Sequence, residues 1–353
     1  RDNCISSLEG LAGLTQLQEL RLDINQLTSL KGLHTLPSLT ELSAKTNHIT
    51  SLPDRFGAGL ASCSTSSASC STSTDCNPPG GIESDNIGFP SLQRLELYHN
   101  RICLVHPGAF IGLTSLLHLD LGRNHLSTLD GRALERCPAL VTLVLSQNHL
   151  KEPPYPLRLP LLRELWLSGN RIETMGLWPS SILGYQTCSS SQQQMCMTGP
   201  LQKVGECKDR GDIQKTRTIG HVDHQGGNGG VWLPSLEVLH LEDNALVSMG
   251  GTRSLVGVPL LRVLDISFNS LEEKEANVGG GGLSSCLKVC RRLEELQVHD
   301  NPMTSCDYYV FNLLQSCPWL THVDGSEVNP LQRWQAEASA VMNRGDLILP
   351  ALL

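Results

Sequence analysis

The sequence predicts an α/β solenoid with a curved parallel sheet on its concave face and short helices and loops on the convex side. Two observations carry this expectation. A pattern of apolar residues ending in Asn recurs nine times, spaced by 22 to 25 residues wherever nothing is inserted. The longer intervals contain stretches rich in Ser, Thr and Gly, as insertions between intact units would.

Aligned on Asn, the units run in order. "LQELRLDIN" ends at Asn25, "LTELSAKTN" at Asn47, "LQRLELYHN" at Asn100, "LLHLDLGRN" at Asn124 and "LVTLVLSQN" at Asn148. "LRELWLSGN" follows at Asn170, "LEVLHLEDN" at Asn244, "LRVLDISFN" at Asn269 and "LEELQVHDN" at Asn301. A truncated unit precedes them, with Asn3 before Ile5, Leu8 and Leu11. The Asn-to-Asn intervals from Asn3 are 22, 22, 53, 24, 24, 22, 74, 25 and 32.

Each part of the unit has a physical reason. The two apolar residues of LxL point the same way along a strand and enter the core of a coil. The Asn is expected to turn inward, where its amide satisfies backbone groups at the bend and in neighbouring coils. An unpaired buried polar group would cost about 1–3 kcal/mol. One coil cannot bury its apolar side alone, but stacked coils can. The LxxLxLxxNxL pattern resembles the leucine-rich repeat family over roughly residues 1–328. The resemblance implies a leucine-rich repeat solenoid in which the Leu and Asn positions are structural.

Inserts are expected near 57–88, 178–230 and 274–288. They are low in apolar residues and therefore read as flexible. Each begins after an Asn-x-apolar turn and stops before the next LxxLxL, so the strands are expected to be uninterrupted. The second contains Cys188, Cys196, Cys207, His221 and His224, but their spacing is looser than a structural zinc site requires. The runs "GGNGG" and "GGGG" lack the Lys-Ser/Thr ending of a phosphate loop.

"NPMTSCDYYVFNLLQSCPWLTHVDGSEV" (301–328) resembles the cap of intracellular leucine-rich repeat proteins of the 22-residue type. It shows Asn301-Pro302, Tyr308/Tyr309, an apolar helix, Pro318-Trp319-Leu320 and Val323-Asp324-Gly325. A C-terminal helix and tail fill 329–353, with Asn329 as N-cap and Leu331, Trp334, Ala338 and Val341 at helical spacing.

Bulk properties exclude some function classes. The chain has 353 residues and a net charge of −8 without a basic cluster, so nucleic acid is not an expected partner. No apolar run is long enough to span a bilayer. The 13 Cys include no CxxC pair and read as buried hydrophobes of a reducing compartment. The first residue is Arg1, which fits a fragment or a processed product. No catalytic constellation, cofactor motif or metal set is evident, and the chain is read as a non-enzyme.

The concave columns are expected at Arg21/Asp23, Ser43/Lys45, Glu96/Tyr98, Asp120/Gly122, Val144/Ser146, Trp166/Ser168, His240/Glu242, Asp265/Ser267 and Gln297/His299. Their acids outnumber their bases, which favours a protein partner with a basic patch. The candidate protein-binding residues are Tyr98, Trp166, Glu96, Asp120, Val144, His240, Glu242 and Phe268. Trp166 is the expected anchor, although it could equally pack against its neighbouring strands. The resemblance implies an interaction scaffold in the cytoplasm. It extends to phosphatase-regulatory, splicing-associated, and ciliary or axonemal leucine-rich repeat proteins, though "LQRWQAEASA" is not a calmodulin-binding IQ motif. The alternative is the recognition or sensor region of a larger enzyme or receptor. Oligomeric state is left open.

Overall fold

The computed structural model describes residues 2–11, 13–33, 36–52, 89–175, 231–249, 255–272 and 283–343. The expected inserts at 57–88 and 178–230 lie outside these residues, as do the zinc-spaced Cys and His of the second.

Eleven strands form one sheet. In order they are Glu19–Arg21, Glu41–Ser43, Arg94–Glu96, His118–Asp120, Thr142–Val144, Glu164–Trp166, Val238–His240, Val263–Asp265, Glu295–Gln297, His322–Val323 and Ser326–Glu327. All pair in parallel except the last two, which are antiparallel. Each strand is three residues or fewer, with one Leu or Val in the middle of each triplet. From Leu42 to Leu296 these central Leu residues are fully buried. Leu20, in the first strand, has a neighbouring coil on one side and is half-buried.

The sheet crosses the long intervals without a gap. Leu42 pairs with Leu95, and Leu165 with Leu239. The strands on either side of each insert are therefore direct neighbours, as the spacing predicts.

Asn joins the coils. Asn148 Nδ2 donates to the carbonyls of Leu121 (3.0 Å) in the preceding coil and of Leu145 (3.0 Å) in its own. Its Oδ1 accepts from Leu126 N–H at 3.0 Å. The same set recurs at Asn47, Asn100, Asn124, Asn170, Asn244, Asn269 and Asn301. The residue before each Asn sits in the left-handed region, with φ 56° at Ile24 and 51° at Phe268, for example. That conformation brings the Asn amide under the bend.

The convex side carries short helices. Helix α1 (Gly131–Leu134) is capped by Asp130, whose side chain accepts from Arg132 N–H. A side chain at Gly131 would overlap the Pro156 carbonyl, so only Gly fits there. Helix α2 (Leu283–Leu287) corrects the third expected insert. Residues 283–288 were expected in flexible chain, but Leu283, Cys286 and Leu287 are buried and hold a helical turn in the core. Residues 274–282 of that insert lie outside the described ones.

Helix α3 (Tyr309–Ser316) buries Leu313 and Leu314 over the last full coil. Asp324 ties it to the sheet edge. Its Oδ2 accepts from Tyr309 Oη at 2.9 Å, and its Oδ1 from the N–H groups of Val298 (2.7 Å) and His299 (2.9 Å). Helix α4 (Pro330–Asn343) begins at Asn329, whose side chain accepts from Leu331 N–H at 2.8 Å. Its packing differs from the expected apolar stripe. Leu331 and Trp334 are 58% and 65% exposed, whereas Ala336 is buried. Arg333 reaches the carbonyls of Pro318 and Leu320, Gln315 donates to Ser339 Oγ at 3.2 Å and Ala338 of the expected stripe is half-buried, so polar and small side chains make the contact. Among the described residues no helix is long and apolar enough to cross a membrane.

Two outcomes follow from these contacts. Asn148→Ala orphans the buried Leu126 amide and loosens two coils, and is expected to cost at least about 2 kcal/mol in urea unfolding. Burial pushes the thiols of Cys137, Cys290 and Cys317 from 9.0 to about 12. Unfolding returns them to their ordinary range, so this contribution is complete below about pH 9.0 and is lost as pH rises toward 12. Thermal melts are expected to show that decline, shallower in Cys137→Ala. At mildly alkaline pH a thiol reagent is expected to label exposed Cys4, Cys103 and Cys306 well before Cys137.

Candidate functional site

Side chains alternate across a strand, so one face of each triplet is core and the other is groove. The groove has three columns rather than the two expected. Residues preceding the central Leu also face outward: Glu19, Glu41, Arg94, His118, Thr142, Glu164, Val238, Val263 and Glu295. Their parity matches that of the residue inside LxL, so the alternation itself carried the signal.

The register sets the order of the middle column. Ser43, Glu96, Asp120, Val144, Trp166, His240, Asp265 and Gln297 are direct neighbours in sequence. Strands lie about 4.8 Å apart, so these side chains form a continuous row.

The row divides by charge. In its first half, acids have partners. Lys45 Nζ lies 2.9 Å from Glu96, and Arg94 lies 3.8 Å from both Glu41 and Glu96. Arg21 lies 3.6 Å from Glu19. Asp23, expected as a surface acid, is instead buried, because it accepts from Ser43 Oγ and from Lys45 N–H at 3.1 Å. In the second half, Glu164, Glu242, Asp265 and the half-buried Val144 and Trp166 gather with no Lys or Arg paired to Glu242 or Asp265 among the described residues.

Trp166 is half-buried and not a free anchor. Its ring stacks on His240, with centroids 3.8 Å apart and planes at 18°. Both readings of this residue therefore meet: it packs on a neighbouring strand, yet keeps one side toward the groove. His240, expected in the groove as a candidate binding residue, is half-buried between Trp166 and two carboxylates. Its Nδ1 lies 3.4 Å from Glu242 Oε2 and 4.0 Å from Asp265 Oδ2. Burial pushes the Glu242 carboxyl up, but His240 and Ser168 beside it hold it below its usual range. Burial also raises the Asp120 carboxyl, although Gly122 N–H partly offsets this.

Of the other candidates, Tyr98 is half-buried in the third column and lies over Gly122, where a Cβ would come within 3.2 Å of its ring. Glu96, Tyr98 and Asp120 thus form a group of their own, separated from Trp166 by the Val144 strand. Phe268 is not on the sheet. It occupies a left-handed bend at the rim, is 53% exposed and meets His299 edge-on at 5.0 Å. Asp265 completes the Trp166 group, and sequence reasoning placed it in the groove without singling it out.

The leucine-rich repeat family model matches residues 90–150. No curated relative matches the sequence. Among solved structures, the functional domain of InlJ from Listeria monocytogenes is similar at 15% identity and a TM-score of 0.43, over 95% of this chain and 55% of that one. A leucine-rich repeat protein of Leptospira interrogans aligns at 18% identity and 0.44, over 92% of this chain and 70% of its own. The leucine-rich repeat domain of APL1B aligns at 19% identity and 0.48, over 85% and 62%. The family match and the stacked coils support a leucine-rich repeat family and establish an α/β leucine-rich repeat solenoid.

Replacing His240 by Ala removes the ring that covers one side of Trp166. The Trp166 emission, taken as wild type minus Trp166→Phe, is expected to shift to longer wavelength with little change in the urea midpoint. An unchanged spectrum would mean that the two rings are not stacked.

Proposed function

We propose that this chain is a non-catalytic protein-interaction scaffold whose concave face holds a protein partner with a basic patch. The observation that carries the reading is the acidic and aromatic half of the groove around Trp166, from Val144 to Asp265, where no Lys or Arg pairs with Glu242 or Asp265 among the described residues. A half-buried aromatic ring in such a groove suits a hot spot. The carboxylates around it would steer a cationic partner. The first half, with its acids already paired to Lys45, Arg94 and Arg21, has less to offer such a partner.

The setting is part of the same proposal. The tie between Tyr309 and Asp324 and the apolar helix α3 support a closing cap of the intracellular 22-residue type. A cytoplasmic scaffold in a ciliary, cytoskeletal or phosphatase-regulatory complex is the reading this cap favours.

The test compares the proteins captured by wild type, by Trp166→Ala/Tyr98→Ala and by Trp334→Ala, a control on exposed α4. A groove partner is expected to be lost from the first variant alone. For a purified partner, Trp166→Ala is expected to weaken binding by about 2 kcal/mol, roughly thirtyfold, and added salt to slow association. Equal capture by wild type and the groove variant would overturn the assignment.

A further inference from the structure

We propose that His240, Glu242 and Asp265 form a divalent transition-metal site of the zinc class on the concave sheet. Each offers one ligand atom, and the three atoms lie within 4.8 Å of one another. His240 Nδ1 stands 3.4 Å from Glu242 Oε2 and 4.0 Å from Asp265 Oδ2. A tetrahedral zinc with bonds of about 2.0–2.1 Å sets its ligands about 3.3 Å apart. The His–Glu pair is already at that separation, and the Asp265 oxygen has to approach from 4.0 Å.

The fold creates this arrangement. His240 and Glu242 flank Leu241 and so project to the same side. Asp265 is the register partner of His240 on the next strand. The supporting contacts then fix each ligand. Trp166 stacks on the imidazole and sets its plane. Asp265 Oδ1 accepts from Ser267 N–H at 3.0 Å and Ser267 Oγ at 2.6 Å, which leaves Oδ2 turned toward His240. Orienting bonds of this kind are what a metal ligand needs from its surroundings.

The hydrogen-bonding state of these atoms points the same way, because His240 Nδ1 and Glu242 Oε2 face each other at 3.4 Å without forming a hydrogen bond of good geometry. Six buried side-chain polar atoms among the described residues have no partner in hydrogen-bonding geometry. Two are His240 Nδ1 and Glu242 Oε2, and two more are the hydroxyls of Ser146 and Ser168. Ser146, Ser168 and Glu242 occupy equivalent positions in three successive coils, so four of the six gather here. Buried polar atoms left unpaired are costly, and a cation on the His240 and Glu242 atoms would remove that cost.

Charge and ligand type select the ion. Two carboxylates and a neutral imidazole carry two negative charges, which a divalent cation neutralises and a single proton does not. Imidazole nitrogen suits zinc and its neighbours, whereas calcium takes six to eight oxygens. Three protein ligands leave the fourth position open to the groove.

The test uses the full chain with Zn2+ in calorimetry and Co2+ as a quencher of Trp166, which lies against His240. The Trp166 signal is isolated as wild type minus Trp166→Phe, so metal held elsewhere, for example by cysteines, does not enter it. Co2+ is expected to quench that signal in wild type, and Zn2+ to reverse the quenching. Glu242→Gln/Asp265→Asn preserves shape and the Trp166–His240 stack, and is expected to weaken both effects at least about tenfold. His240→Ala is expected to abolish them. Quenching that is absent, or equal in wild type and the Glu242→Gln/Asp265→Asn variant, would overturn the site.

Discussion

The amide of one Asn, bonded to two coils at once, is the interaction on which the rest of this structure depends. Every full coil has to bend at the residue before that Asn. The backbone there is left-handed even at Ile24 and Thr46, β-branched residues that disfavour it, with φ of 56° and 54°. Such a conformation costs about 1–2 kcal/mol per residue. The Asn offsets this by capping carbonyls on its own coil and the preceding one while accepting an amide from the latter. The side chains at the bend are chemically unrelated, from Arg123 to Phe268. The conformation therefore follows from the Asn and not from the residue that adopts it.

A binding surface follows from that repetition. Parallel triplets kept in register by the Asn bonds place equivalent positions of successive coils in a column. The columns continue where the sequence does not, because Leu165 pairs with Leu239 across the longest interval. The Trp166–His240 stack exists only through that pairing. The carboxylates beside it come from the same strand as His240 and from the next one, Glu242 and Asp265. The groove's two halves differ because Lys45, Arg94 and Arg21 accompany the acids of one, whereas Glu242 and Asp265 in the other have no Lys or Arg paired to them among the described residues.

The coils were legible in the sequence because one strong periodicity specified both strand and bend. Asn positions, buried Leu positions and the continuity of strands all followed from it. Three features were not legible. The groove column before LxL has no fixed residue type, so Glu164 and Val263 were marked by nothing beyond their parity. The partnership of Trp166 with His240 needed the register across 74 residues between their Asn neighbours. Helix α4 misled because its apolar residues were the visible signal, while Arg333 and Ala336 do the packing. Counting apolar side chains predicts the wrong side when a guanidinium finds free carbonyls at a helix end.

Native-state hydrogen exchange at the amides that donate to the Asn side chains tests the continuity of the solenoid most directly. Leu126 and Leu150 report on coils adjacent in sequence. Ile49 and Ile172 make the same bond across the intervals to Asn100 and Asn244. The account predicts comparable protection at all four amides. Fast exchange at Ile49 and Ile172, with Leu126 and Leu150 protected, would mean that the coils beyond each insert are not stacked on those before it, and the single concave surface would not exist.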